Sequence, residues 1–108
     1  MSDRLLRVNR LLKQEVSKMV EKEIDPSWGI LTITDVETSP DMKEAKIWYS
    51  LLNGNEKIIQ QELGGKKRYF QKELNKKLKM KFVPRISFEI DKSGKYVSEL
   101  DEIFGKLK

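Results

Sequence analysis

Residues 30–52, with the sequence ILTITDVETSPDMKEAKIWYSLL, have the pattern of two strands joined by a short turn. Residues 30–38 are dominated by β-branched side chains, which favour a strand. The SPD triplet at 39–41 is a turn signal. Residues 43–52 form a second alternating segment, with Ala45, Ile47, Tyr49 and Leu51 on one face. Two strands joined by so short a turn are expected to pair antiparallel.

An amphipathic helix is predicted before this strand pair, over residues 3–22. Its apolar residues recur at helical spacing and therefore lie on one face. These residues are Leu5, Val8, Leu12, Val16 and Met19. The Asp25-Pro26 step ends the helical region, because a residue before proline disfavours the helical conformation.

After the strand pair, the pattern predicts a short helix over 55–63, a second helix over 66–79 and a third strand over 85–91. Ile58, Ile59 and Leu63 are expected to point inward from the first of these helices, and Gly64-Gly65 to interrupt the helical region. A further short helix is predicted over 97–107. The order α-β-β-α-α-β predicts a two-layer α+β domain over residues 1–92, with a three-stranded sheet covered by helices. Residues 93–108 are expected to be a C-terminal tail.

The composition excludes several classes of protein. The 108 residues include no cysteine and no histidine, which removes disulfides, thiolate metal sites and the commonest general base. No catalytic motif is present, so we expect a non-enzymatic protein without a cofactor, a metal site or a small-molecule substrate. No signal peptide or membrane-spanning stretch is evident, which predicts a cytoplasmic protein.

Positive charge is concentrated in two segments. The net charge is +5, but residues 60–85 carry +7 and residues 1–13 carry +3, whereas residues 14–59 carry −4. This distribution favours a polyanionic partner such as a nucleic acid.

The helix over 66–79 carries the strongest functional signal. Arg68, Lys72, Lys76 and Lys79 are spaced by 4, 4 and 3 residues, on the side opposite Phe70, Leu74 and Leu78. A nucleic-acid contact is the favoured interpretation, and a solvated helix face is the alternative. The predicted RNA-binding residues in and near this helix are Lys66, Lys67, Arg68, Lys72, Lys76, Lys77, Lys79, Lys81 and Arg85. Arg4, Arg7 and Arg10 form a second, slanting band, for which charged side chains lying along an amphipathic helix are an equal alternative.

Two further features have a simpler structural explanation. Gly64-Gly65 before Lys66-Lys67 is neither a P-loop nor a G-x-x-G loop, and a helix end followed by a turn is the favoured interpretation. Trp28, Trp48 and Tyr49 are candidates for base stacking, although packing in the core or on the sheet is the more common role of such residues.

Four blocks resemble the ribosome-binding factor A family over residues 3–105. They are Asp25-Pro26, GILTITDV at 29–36, SPDMKEAKIWYS at 39–50 and FVPRISFEID at 82–91. The resemblance implies a type II KH-like fold and a monomer that binds the free 30S subunit and 16S rRNA, near the 5′ end and the decoding region. It also implies a non-catalytic role in ribosome biogenesis, with late maturation and 5′-end processing of 16S rRNA, and adaptation to cold.

The chain departs from the family between the two central helices. The family carries an Ala-x-Gly kink there, whereas an ungapped match places Lys66-Lys67-Arg68 at that position. The kink is therefore either moved to Gly64-Gly65 or built differently. The alternative functions are a protein-interaction module whose basic helix docks an acidic partner, and a generic DNA-binding domain, for which no groove-reading motif is present.

Overall fold

The computed structural model describes residues 3–92 as two helices packed on one face of a three-stranded sheet. Helix α1 spans Asp3–Glu23, strand β1 Ile30–Thr38 and strand β2 Glu44–Leu52. Helix α2 spans Glu56–Lys77 and strand β3 Arg85–Ile90. The predicted α+β two-layer class is confirmed, and the tail over 93–108, with its expected helix at 97–107, lies outside the described residues.

The sheet has the order β1-β2-β3, with β1 and β2 antiparallel and β2 and β3 parallel. Parallel strands need a long crossover, and α2 provides the connection between β2 and β3. The pairing of β1 with β2 shifts register between Ile33 and Asp35, which leaves Thr34 as a bulge. The antiparallel hairpin predicted from residues 30–52 is therefore confirmed.

The core lies between the helices and the inner face of the sheet. Val8, Leu12, Val16 and Met19 of α1 are buried as the helical spacing predicted. Ala45, Ile47 and Tyr49 of β2 are at most 2% exposed, and Ile86 of β3 is fully buried. The Phe70 ring packs edge-on against Phe88, with 5.9 Å between ring centroids, which joins α2 to β3.

The expected interruption at Gly64-Gly65 is wrong, since α2 is one continuous helix of 22 residues. A glycine inside a helix costs about 1 kcal/mol relative to alanine, which the neighbouring helix-forming residues and the buried positions of α2 offset. Ile58 is 37% exposed and so does not point inward, whereas Ile59 and Leu63 are buried. The helix ends at Lys77 rather than at residue 79.

Glycine is required where the Pro26–Trp28 3-10 helix meets the loop after β2. Gly29 has a φ of +127°, and a Cβ there would lie 2.6 Å from the Gly54 Cα. The Asn55 backbone N–H donates a hydrogen bond of 3.3 Å to the Trp28 carbonyl at the same contact. This close approach fixes the start of α2 against the start of β1.

Candidate nucleic-acid interface

The outer side of α2 presents a row of exposed cations. Arg68, Lys72 and Lys76, here called the α2 stripe, are exposed, while Phe70 and Leu74 on the opposite side are fully buried. Lys76 lies 3.9 Å from Glu73, an exposed pair of small energetic value. Arg68 and Lys72 make no ion pair with any residue between 3 and 92. The predicted division of this helix into a buried side and a basic side is confirmed.

A groove at the end of α2 is lined by cationic side chains from four parts of the chain. It has a volume of about 990 Å³. Its cationic rim comes from the first turns of α1, the β1–β2 turn, the link after α2 and the start of β3. The rim residues are Arg4, Arg7, Lys43, Lys79, Lys81 and Arg85, and the lining includes Val8, Leu11, Met42, Met80, Phe82 and Val83. We call this feature the basic groove; among its described lining residues, Asp41 is the one carboxylate.

Asn9 holds α1 against the end of β1. Its side-chain oxygen accepts hydrogen bonds from the Thr38 backbone N–H, at 3.1 Å, and from the Thr38 hydroxyl, at 2.5 Å. Asn9 lies five residues after Arg4 and two after Arg7, so this contact holds the first turns of α1 near the β1–β2 turn. Arg4 and Arg7 line the same groove as Lys43 of that turn.

The β1–β2 turn is held in a fixed shape by its own side chains. The Ser39 hydroxyl donates to an Asp41 carboxylate oxygen at 2.6 Å, and the Lys43 backbone N–H donates to the same oxygen at 3.0 Å. These bonds, the Ser39 bond most, lower the pKa of Asp41 below its ordinary value. Met42 takes a φ of +62°, which a non-glycine residue adopts only where its surroundings impose it. The turn thereby directs Lys43 into the basic groove.

Gln71 ties the link after α2 to the helix itself. Its side-chain nitrogen donates to the Pro84 carbonyl at 3.0 Å, and its side-chain oxygen accepts from the Ile86 backbone N–H at 2.9 Å. The Arg85 backbone N–H also donates to the Lys43 carbonyl at 2.9 Å. Arg85 is thus fixed between the helix, the turn and the sheet.

The predicted RNA-binding residues do not all come together. Five of them line the basic groove, namely Arg4, Arg7, Lys79, Lys81 and Arg85. Arg10 is exposed on α1 but does not line the groove, and Lys77 is exposed at the end of α2. Lys67 lines a separate cleft with Arg85 and the β1–β2 turn. Lys66 is half-buried and lies 3.9 Å from Glu62. Contact of any of these residues with RNA stays a prediction.

Sequence reasoning missed Lys43, Phe82 and Gln71 as members of this surface. Lys43 lies within the segment 14–59, whose net charge is negative, and Phe82 belongs to no periodic pattern. Gln71 had no signal at all, since its partners lie 13 and 15 residues away along the chain.

Two of the three aromatic residues considered for stacking are accounted for by the sheet. The third, Trp28, lies in the Pro26–Trp28 3-10 helix and is partly buried against the core. Tyr49 is buried, and burial raises the pKa of its hydroxyl. The Trp48 ring N–H donates to Glu37 at 3.0 Å, and the Lys46 ammonium lies 5.3 Å from the ring centroid. Trp48 is therefore held on the sheet surface by its own neighbours.

The structure shows neither of two other kinds of site within residues 3–92. No group of three or more acidic, histidine or cysteine side chains is placed to hold a metal ion. Neither α1 nor α2 is long and apolar enough to cross a membrane.

The sequence and the fold both match known ribosome-binding factors. A family profile described as ribosome-binding factor A matches residues 4–104. The ribosome-binding factor A of Halothermothrix orenii is 32% identical over 97% of this chain and 88% of its own length. The crystal structure of ribosome-binding factor A from Thermus thermophilus superposes with a TM-score of 0.70 at 20% identity, covering 80% of this chain and 94% of that one. A homology model of the Thermus protein, fitted into a cryo-electron microscopy map of its complex with the 30S subunit, superposes with a TM-score of 0.68 at 20% identity, covering 78% of this chain and 91% of that one. On the profile match and the sequence relative, the chain belongs to the ribosome-binding factor A family.

Proposed function

We propose that this protein binds the free 30S ribosomal subunit through 16S rRNA and promotes late maturation of the subunit, including 5′-end processing of 16S rRNA. The observation that carries the proposal is the convergence of two basic segments, distant in the sequence, on one groove. A Thermus thermophilus protein of the same fold has been fitted into a map of a complex with the 30S subunit.

The mechanism follows from the rigidity and charge of this surface. The α2 stripe and the basic groove bind phosphates of folded RNA, which positions the protein without reading sequence. Specificity then comes from RNA shape, because a groove with fixed walls accepts one arrangement of strands better than others. The protein acts by binding alone, as a cytoplasmic monomer without catalytic groups, and supports ribosome biogenesis in the cold.

The first test is co-sedimentation with free 30S subunits, 50S subunits and assembled ribosomes over a range of salt concentrations. We expect selective binding to free 30S subunits. If about five phosphates are contacted, log K falls against log salt with a slope of roughly −3.5. Equal binding to all three particles, or to none, contradicts the proposal. Capture of an acidic protein from nuclease-treated lysate in place of 30S binding favours the protein-interaction alternative.

Charge reversal on α2 tests the surface itself. Lys72→Glu with Lys76→Glu is expected to abolish 30S binding and leave the circular dichroism spectrum unchanged, since both side chains are exposed. Lys18→Glu with Lys22→Glu on α1 is the matched control and should bind like the wild type. Both pairs are spaced by four residues, and Lys18 and Lys76 each pair with a glutamate three positions earlier, at 3.7 and 3.9 Å. If both variants lose 30S binding equally, the binding depends on the net charge of the protein and not on the α2 stripe, which contradicts the proposed surface.

A further inference from the structure

Phe82 is exposed to an unusual degree for an aromatic side chain. It lies in the link between α2 and β3, with 76% of its surface exposed, the largest fraction among the exposed large hydrophobic residues of the described chain. Exposed aromatic rings gain nothing from the hydrophobic effect in the free protein. Flat aromatic rings at a protein surface are, however, the platforms on which unpaired bases stack.

The surroundings of Phe82 fit a nucleotide better than they fit an apolar ligand. The Phe82 ring lines the basic groove. Among the described lining residues, six are cationic and one, Asp41, is a carboxylate. The Lys81 ammonium lies 5.6 Å from the centroid of the Phe82 ring. A phosphate bound by Lys81 would therefore sit within one nucleotide of a base on the ring.

The rest of the groove offers an adaptable apolar floor. Met42 and Met80 are partly buried and pack against the core while lining the groove. Methionine side chains are flexible and polarisable, and they adjust to flat ligands of different outline. Two residues beyond Phe82, Pro84 is buried and bonded to Gln71, so the link that carries the ring is anchored.

Trp48 provides the contrast. It is the larger aromatic, yet its ring N–H is bonded to Glu37 and it is flanked in the sheet by Asp35 and Glu89. Both rings have a lysine ammonium nearby, since Lys46 lies 5.3 Å from the Trp48 ring and Lys81 lies 5.6 Å from the Phe82 ring. A nucleic acid approaching Trp48 would meet three carboxylates beside that one ammonium, whereas one approaching Phe82 meets mostly ammonium and guanidinium groups.

The geometry points to a binding site for an unpaired nucleotide in the basic groove, with the base stacked on the Phe82 ring and the adjacent phosphates on Arg4, Arg7 and Lys81. This inference rests on the proposed function, which makes RNA the partner, and adds that the groove takes single-stranded RNA. A base inside a duplex is already stacked on both sides and cannot reach the ring.

The test compares Phe82 variants of the full-length chain on two labelled RNAs, an unstructured strand of about ten nucleotides and a hairpin with as many phosphates. Phe82→Ala is expected to weaken binding to the unpaired strand at least about fivefold and to leave hairpin binding within about twofold. Phe82→Trp should retain the affinity and add tryptophan fluorescence that the unpaired strand quenches. Tyr69→Ala is the matched control, because Tyr69 is an aromatic residue 45% exposed outside the groove, and should bind both RNAs like the wild type.

Sedimentation of wild type and Phe82→Ala with 30S subunits, run in parallel, separates the two claims. If the wild type binds 30S subunits but Phe82→Ala binds the unpaired strand undiminished, the stacking site is overturned and the proposed function stands. An equal loss on strand and hairpin also overturns it, since stacking does not act on paired bases. Competition by an acidic peptide but not by unpaired RNA would assign the groove to a protein. If the wild type fails to bind 30S subunits, the proposed function falls.

Discussion

The basic groove and the outer face of the sheet are neighbouring surfaces with opposite charge. The groove rim presents six cations and, among the described lining residues, one carboxylate. On the outer face of the sheet, strand pairing aligns four carboxylates with Lys46 and Trp48; we call this surface the acidic sheet face. Its carboxylates are Asp35, Glu37, Glu44 and Glu89. Arg85, paired in register with Glu44, marks the boundary between the two surfaces.

The net charge of +5 does not reveal that positive and negative side chains lie on different sides of the molecule. A protein with separated charges is turned by the field of a polyanion so that its positive side meets the partner first. The acidic sheet face would be repelled by the same field. We therefore expect the basic groove and the α2 stripe to face RNA and the acidic sheet face to point away from it.

Among changes that compare these two surfaces, charge reversal in the basic groove should weaken 30S binding most. Arg7→Glu with Lys81→Glu removes two phosphate contacts worth about 1.5 kcal/mol each, so 30S affinity should fall on the order of 100-fold. Asp35→Lys with Glu89→Lys inverts the charge around Trp48, since these residues flank it in register. That variant should change 30S affinity by less than about threefold. Titration of labelled subunits at fixed salt measures both.

The distinction between the two surfaces is contradicted if the sheet variant gains affinity for 30S subunits as strongly as the groove variant loses it. Such a result would mean that cations around any aromatic residue suffice, and that position in the fold does not matter. The urea unfolding midpoint of the groove variant controls for loss of folding. It should equal that of the wild type, because Arg7 and Lys81 are exposed and their replacement removes no core contact.

The next effect concerns how each surface is held together. The acidic sheet face is built from regular strand pairing, whereas the start of β3 beside the basic groove depends on the Gln71 side chain. Gln71→Ala leaves the Ile86 N–H and the Pro84 carbonyl without their partner, so we expect a loss of about 2 kcal/mol in the free energy of unfolding. Gln61→Ala, an exposed position on the same helix, is expected to change it by less than about 0.5 kcal/mol.

Urea unfolding monitored by tryptophan fluorescence measures both glutamine variants. If Gln71→Ala is as stable as Gln61→Ala, water replaces the lost hydrogen bonds, and the Gln71 side chain is not needed to hold the segment between α2 and β3. If the expected loss occurs, RNA affinity of the folded Gln71→Ala protein should also fall, because Arg85 and Phe82 lose their fixed position.

Most of the fold could be predicted because it depends on local periodicity. Alternation in β2 and the spacing of Val8, Leu12 and Val16 in α1 each report one buried face, and the structure buries those faces. The continuity of α2 could not be predicted in the same way. A glycine pair is a local signal for a break, whereas the buried residues on both sides of it, Leu63 and Phe70, favour one helix through tertiary packing.

The two basic segments of the candidate interface could be predicted separately from the sequence, but their meeting in one groove could not. The spacing of Lys72 and Lys76 identified a basic side of a helix from sequence alone. That Arg7 and Lys81 line one groove depends on the Asn9–Thr38 contact and on the Gln71 clamp, which join residues 29 and 15 positions apart. No periodic pattern encodes such contacts, and for the same reason Phe82 and Lys43 were missed.

The smallest expected effect concerns the glycine pair beside the α2 stripe. Gly64 and Gly65 lie in helical structure, and a Cβ built on either meets nothing within 4 Å among the described atoms. Gly64→Ala and Gly65→Ala should each raise the free energy of unfolding by about 0.5–1 kcal/mol, because alanine loses less backbone entropy on folding. Gly29→Ala is the contrasting control and should destabilise, since its Cβ would overlap Gly54.

The same alanine variants locate RNA on the basic surface. If RNA is held mainly in the basic groove, 30S affinity stays within about twofold of the wild type while thermal unfolding shifts upward by a few degrees. If the RNA backbone packs directly on the exposed helix at the glycines, the methyl group added in each variant separates it from Arg68 and affinity drops. Stability that rises with unchanged binding would therefore exclude a close RNA contact at the glycines, and a drop in binding would extend the contact from Lys72 and Lys76 toward the first half of α2.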